Sequence, residues 1–227
     1  MNNPIRFIDP DGMAPTDNYL IRLDGSINRE KTDDKSDSFY IETSSKKQGD
    51  NVIRSYDKIA TLDKNENELD QLQDVTYNGK EPSTSFSVSV KDGNEEKAFM
   101  RGDAVAALFG AASEANVKDL TVVQFSLSDG SSPDPSVSHK QGKNGDLRYL
   151  NNNENGAATL VGDKNLDLGR QTDLNNGLFK YGWKDMVSER RPDGTLLPHT
   201  KSAKESHIHS NHKAHEHLQG FRPKIVN

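Results

Sequence analysis

The chain has 227 residues, enough for one or two domains, and its 31% hydrophobic content supports a core only if part of the chain is loop-rich. Its net charge of −6 supplies no basic footprint for nucleic acid, and the absence of cysteine excludes disulfides and thiolate metal sites, so a metal would have to be held by His, Asp or Glu. No run of ~20 apolar residues is present to span a membrane, and no positive-then-apolar start marks a signal peptide.

The first residues, NNPIRFIDPDGM, carry Asp-Pro and Asp-Gly turn signals. They also resemble the closing motif of the Rhs repeat-associated core, the end of a large secreted β-cage beyond which a variable C-terminal toxin is carried. The resemblance implies that residues 1–16 end such a core and that the rest is the C-terminal part of a longer polypeptide. It also implies delivery by the Rhs cage and a contact-dependent secretion machine.

Residues 17–80 lean towards β-structure. NYLIRLDGSI alternates before an Asp-Gly turn and predicts a hairpin, and DSFYIET predicts a further strand. SSKKQGDN and DKNENELDQLQD are polar and predict exposed segments. No catalytic constellation is visible here, and the region reads as a linker or small adaptor.

From residue 81 the pattern tightens into what reads as one domain, 81–227. SFSVSV alternates as a strand, and the Ala- and Leu-rich DAVAALFGAASEAN predicts a helix with Asp103 as N-cap. LTVVQFSLS is a β-branched run suited to a buried strand. TDLNNGLFKYGWKDMV places Leu174, Leu178 and Tyr181 at helical spacing, capped by Thr172 or Asp173, and leads to a strand near Trp183 to Val187. RPDGT is a turn, and HEHLQGF predicts a short strand. The expected class is α+β, with an antiparallel central sheet flanked by helices and a small β-leaning N-terminal extension.

Five of the seven histidines fall between His207 and His217. An earlier pair, His139 and Asp146, stands seven residues apart. That is ~23 Å on a strand or ~10 Å on a helix, too far to share a metal with bonds of about 2.1 Å. If they share a metal, the chain must fold back between them, and Gly142 and Gly145 permit the backbone angles this needs. On a strand, His215 and His217 point to one face, so one can bind a metal while the other stands ~7 Å along. Glu216 alternates with them and is expected to face away.

SHKQGKNGDLRYL resembles the Ser-His-x-x-Gly-x-x-x-Asp motif of the penicillin-insensitive murein endopeptidases, which belong with the D-Ala-D-Ala metallopeptidases and lysostaphin-type (LAS) enzymes. Their second motif, His-x-x-His-x-His, is matched by His212, His215 and His217. The resemblance spans roughly residues 115 to 221. It implies a LAS-type fold with zinc on His139 (Nδ1 or Nε2), Asp146 and His217. It further implies that His215 is the catalytic histidine and that His212 contacts substrate or transition state. Two neutral imidazoles and one carboxylate would leave such a zinc site at +1, and His215 would relay a proton. The chain departs from the family in the segment KNGD, whose Lys143, Asn144 and Gly145 replace the usual apolar residues before the aspartate, and in lacking cysteines; no HExxH glutamate is present.

The function implied is a secreted antibacterial toxin, a zinc peptidase cutting peptidoglycan stems or cross-links in the target periplasm. The expected partners are the peptidoglycan peptide and a cognate immunity protein over the cleft, with no nucleic acid and no membrane insertion. A metal-dependent nuclease toxin is the alternative, followed by a non-catalytic zinc-stabilised binding module. His207 and His209 form a second His-x-His pair, read as loop residues or as ligands in place of His215 and His217, and His199 reads as a surface residue.

Overall fold

Alternation builds the first sheet. Tyr19 and Ile21 of β1 (Thr16–Ile21) and Ile27 of β2 (Ser26–Thr32) are buried, and the two strands pair antiparallel around the expected Asp-Gly turn, with Gly25 at φ +84°. This computed structural model describes residues 16–32, 34, 36–79, 84–203 and 212–226; the Rhs-like stretch at 2–13 lies outside them. β3 (Ser36–Gln48) runs parallel to β1 and antiparallel to β4 (Asn51–Asp63). The root of this long hairpin buries Phe39, Ile41 and Leu62, while its far half is exposed. The polar SSKKQGDN is therefore exposed as expected, but it is the hairpin's tip, held in register by cross-strand pairing.

The short strands β5 (Asp70–Gln71), β6 (Val75–Tyr77), β7 (Phe86–Val90) and β8 (Phe99–Met100) lead into α1 (Gly102–Glu114). Nearly every residue of α1 is buried, as an apolar helix between two layers must be. Gly110 lets Tyr181 of the second helix lie against it, since a Cβ there would stand 2.6 Å from the tyrosine ring. The N-cap is Arg101; Asp103 sits two residues further on, within the first turn, and takes the Arg101 guanidinium at 2.5 and 3.0 Å. A carboxylate in the first turn complements the helix dipole without capping it.

β9 (Leu120–Gln124), β10 (Gly145–Leu147), α2 (Leu168–Tyr181), β11 (Met186–Ser188), β12 (Thr200–Ser202) and β13 (Glu216–Leu218) follow. Helix α2 starts earlier than Thr172 or Asp173, because Asp167 accepts the Arg170 amide and caps it. The main sheet has the order β12-β11-β13-β10-β9-β7-β6. Its centre, β11-β13-β10-β9, is antiparallel, but the flanking β11–β12 and β7–β9 pairings are parallel, so the sheet as a whole is mixed. The class is α+β.

The chain ends by returning to its first sheet, where β14 (Lys224–Val226) runs parallel to β2. One apolar core joins both sheets through α1. Phe109 meets Phe39 of the first sheet edge-on at 5.5 Å and Phe86 of the second at 5.6 Å. Among the described residues, no helix is long and apolar enough to cross a membrane.

Candidate metal centre

Three strands and one loop assemble the cluster. In the β-ladder Asp146 lies opposite Gln124 of β9 on one side and His217 of β13 on the other. Directly opposed residues share a sheet face, so Gln124, Asp146 and His217 form a row. His139 joins them from the loop between β9 and β10. That loop folds back as expected, at Gln141 and Gly142, which take φ of 56° and 62°. A Cβ on Gly142 would lie 2.4 Å from the Arg101 nitrogen, so the position also demands close backbone approach. Arg101 N donates to Gly142 O, Trp183 Nε1 to Lys143 O and Asn144 Nδ2 to Ser138 O, which pins both arms of the loop.

His139, Asp146 and His217 are buried. Asp146 Oδ1 lies 2.8 Å from His217 Nδ1 and 3.2 Å from His139 Nε2, and those two nitrogens are 3.1 Å apart. The imidazole rings stack at 5.0 Å between centroids. A tetrahedral cation with bonds of about 2.0–2.1 Å would set its ligand atoms ~3.4 Å apart. The observed triangle is close to that size, so the His-Asp-His group could hold a metal ion. With both imidazoles donating to Asp146 Oδ1, their N–H groups would face each other at 3.1 Å, a contact that a shared cation would relieve. Burial would raise the Asp146 carboxyl, but hydrogen bonds from His139 and His217 hold it well below the usual carboxylate range. It is therefore an anion, as a ligand must be.

His215 stands at the rim, with its Nε2 3.7 Å from Asp146 Oδ2 and its side chain 24% exposed. Burial lowers its pKa below the ordinary histidine value, which outweighs the pull of Asp146, and His217 and His139 lower it further. His215 is thus neutral at neutral pH and accessible. His212 is buried, its ring 5.0 Å from that of His215 and 5.6 Å from that of His217, and Tyr149 donates to its carbonyl at 2.8 Å. The five residues singled out in the sequence therefore gather in one place. His199 is elsewhere: exposed, it stacks on Phe179 and meets Asn176. His207 and His209 lie outside the described residues.

Glu216 faces the opposite side of β13, as alternation requires, but it is fully buried there. Gln171 Nε2 and Asn175 Nδ2 each donate to it at 2.9 Å, and burial, partly offset by those two bonds, pushes its pKa up to about 8. Of two further polar neighbours of the cluster, Gln124 escaped the sequence reading and Ser138 entered it only as the first residue of the motif, with no role assigned. Gln124 Nε2 donates to Asp146 Oδ2 at 3.2 Å, and Ser138 Oγ lies 3.4 Å from His217 Nε2. Only the ladder register could have pointed to Gln124, and register is not written in spacing. No protein-family model, curated protein or solved structure matches this chain.

Proposed function

We propose that this chain is a zinc-dependent peptidase that hydrolyses amide bonds in peptidoglycan stems or cross-links, acting as an antibacterial toxin. The observation that carries the reading is the convergence of His139 Nε2, Asp146 Oδ1 and His217 Nδ1, with the neutral His215 imidazole at the open edge. The donor set suits zinc, which takes imidazole and carboxylate ligands and leaves a catalytic site with an open position. The antiparallel centre of the main sheet, with ligands on two adjacent strands and the loop before one of them, supports reading the fold as LAS-type.

When bound there, zinc supplies a Lewis acid that acidifies water and polarises the scissile carbonyl. His139, Asp146 and His217 hold that charge in a buried setting. His215 Nε2 takes a proton from the attacking water and delivers it to the leaving amine nitrogen as the C–N bond breaks, so no covalent intermediate with the chain is required. His212, packed edge-on to His215, fixes its ring plane and contacts the substrate side. In the wider reading, the Rhs cage delivers the domain to the periplasm of target bacteria, and a cognate immunity protein covers the cleft in the producer.

Mass spectrometry of muropeptides after digestion tests the activity. Wild-type protein with zinc should release new amide-cleavage fragments, and His139→Ala should release none. Identical fragments from both samples, or degradation of plasmid DNA in place of murein, would reject the peptidase.

A further inference from the structure

We infer that Gln124 is a positioning residue that dictates which oxygen of Asp146 a metal ion can use. This inference rests on the metal-centre reading above and extends it to a residue that no motif contains.

The argument starts from the division of labour at the carboxylate. Asp146 Oδ1 faces the two imidazole nitrogens at 2.8 and 3.2 Å. Oδ2 faces the other way, 3.2 Å from Gln124 Nε2 and 3.7 Å from His215 Nε2. An ionised carboxylate only accepts hydrogen bonds, so the amide must present its nitrogen; the orientation of Gln124 follows from chemistry. Cross-strand pairing of Gln124 with Asp146 fixes the contact through the backbone of β9 and β10.

Without that amide, Oδ2 would be free to swing towards the cation. A carboxylate that binds through both oxygens raises the coordination number and crowds the position that water and substrate need. With the amide in place, Asp146 offers Oδ1 alone. Gln124 therefore helps to keep the site four-coordinate and open. Its side chain is half-buried, so its role does not depend on filling the core.

The test uses Gln124→Met, which keeps length and volume but has no donor, and Gln124→Glu, which sets a second carboxylate against Oδ2. Each is titrated with zinc against a chromophoric chelator and then loaded with cobalt(II), whose visible spectrum reports coordination number. Removing a hydrogen-bonding partner of a metal ligand lowers affinity about 10–100-fold. Both variants should show a loss of that size. Gln124→Met should also show weaker visible cobalt bands, the sign of a fifth ligand atom, while its metal-free thermal unfolding matches wild type. Wild-type affinity and an unchanged cobalt spectrum in both variants would overturn the role of Gln124 while leaving the metal centre standing. A wild-type protein that binds neither ion would overturn this inference and the peptidase together.

Discussion

Asp146 carries the site at the scale of single residues. It is the one anion in the cluster, it touches both imidazoles that face it, and its second oxygen is held by a third side chain. Asp146→Asn should retain the fold and lose zinc affinity by at least about 100-fold, because a neutral amide replaces the charge that offsets the cation; competitive zinc titration checks it. On the proposed mechanism, in which His215 relays protons from beside the cluster, His215→Ala should leave zinc affinity nearly unchanged and abolish turnover. Parallel affinity and rate measurements separate the two roles. These residues were legible in the sequence through the resemblance of two motifs to those of the murein endopeptidases; spacing added only that His139 and Asp146 can share a metal if the chain folds back at glycine, and that His215 and His217 alternate onto one face. Gln124 and Glu216 were not legible, because the partners that give them meaning lie across a ladder and across a helix face.

Among the elements, two hold the site in shape. The first is the loop between β9 and β10. Gly142→Ala would force a Cβ to within 2.4 Å of the Arg101 nitrogen at a φ of +62°. The expected cost is about 2–4 kcal/mol by urea unfolding, with His139 displaced from Asp146 and zinc affinity lowered in step. The second is the bond between α2 and β13. Gln171 and Asn175 are one turn apart on α2, so both reach the carboxyl group of Glu216, which stands between His215 and His217 in sequence. Strands and helices with strong local patterns were visible beforehand, namely β7, α1, β9 and the β1–β2 hairpin. The far half of the β3–β4 hairpin was not seen as strand, because its polar residues are held by pairing instead of burial. The start of α2 was missed because its cap, Asp167, is followed closely by Gly169, a poor helix former.

Across the whole molecule, residues near both ends meet in one sheet, and a single core links that sheet to the one bearing the histidines. Closure by β14 had no signal in a short terminal segment, since a parallel partner is chosen by the fold and not by local pattern. At the same junction Asp70 is buried beside Asp37; burial, reinforced by the Asp37 charge, pushes its pKa up to about 9. Between pH 5 and 7 the unfolded chain has released the Asp70 proton and the folded chain keeps it, so the contribution of this group to stability falls as pH rises. The loss is up to about 3 kcal/mol over those two units. Asp70→Asn, which replaces the protonated acid by a neutral amide, should therefore gain on wild type as pH rises from 5 to 7, and urea unfolding at the two pH values measures it. The central claim is that segments some seventy residues apart close around one divalent ion. Zinc stoichiometry and affinity, measured by competitive titration on wild type, His139→Ala, Asp146→Asn, His217→Ala and the His207→Ala/His209→Ala double variant, tests that claim most directly. The account predicts one tightly bound zinc per chain, lost in each of the three single variants and kept in the double variant. Zinc bound equally well by the three single variants, or lost only in the double variant, would contradict it.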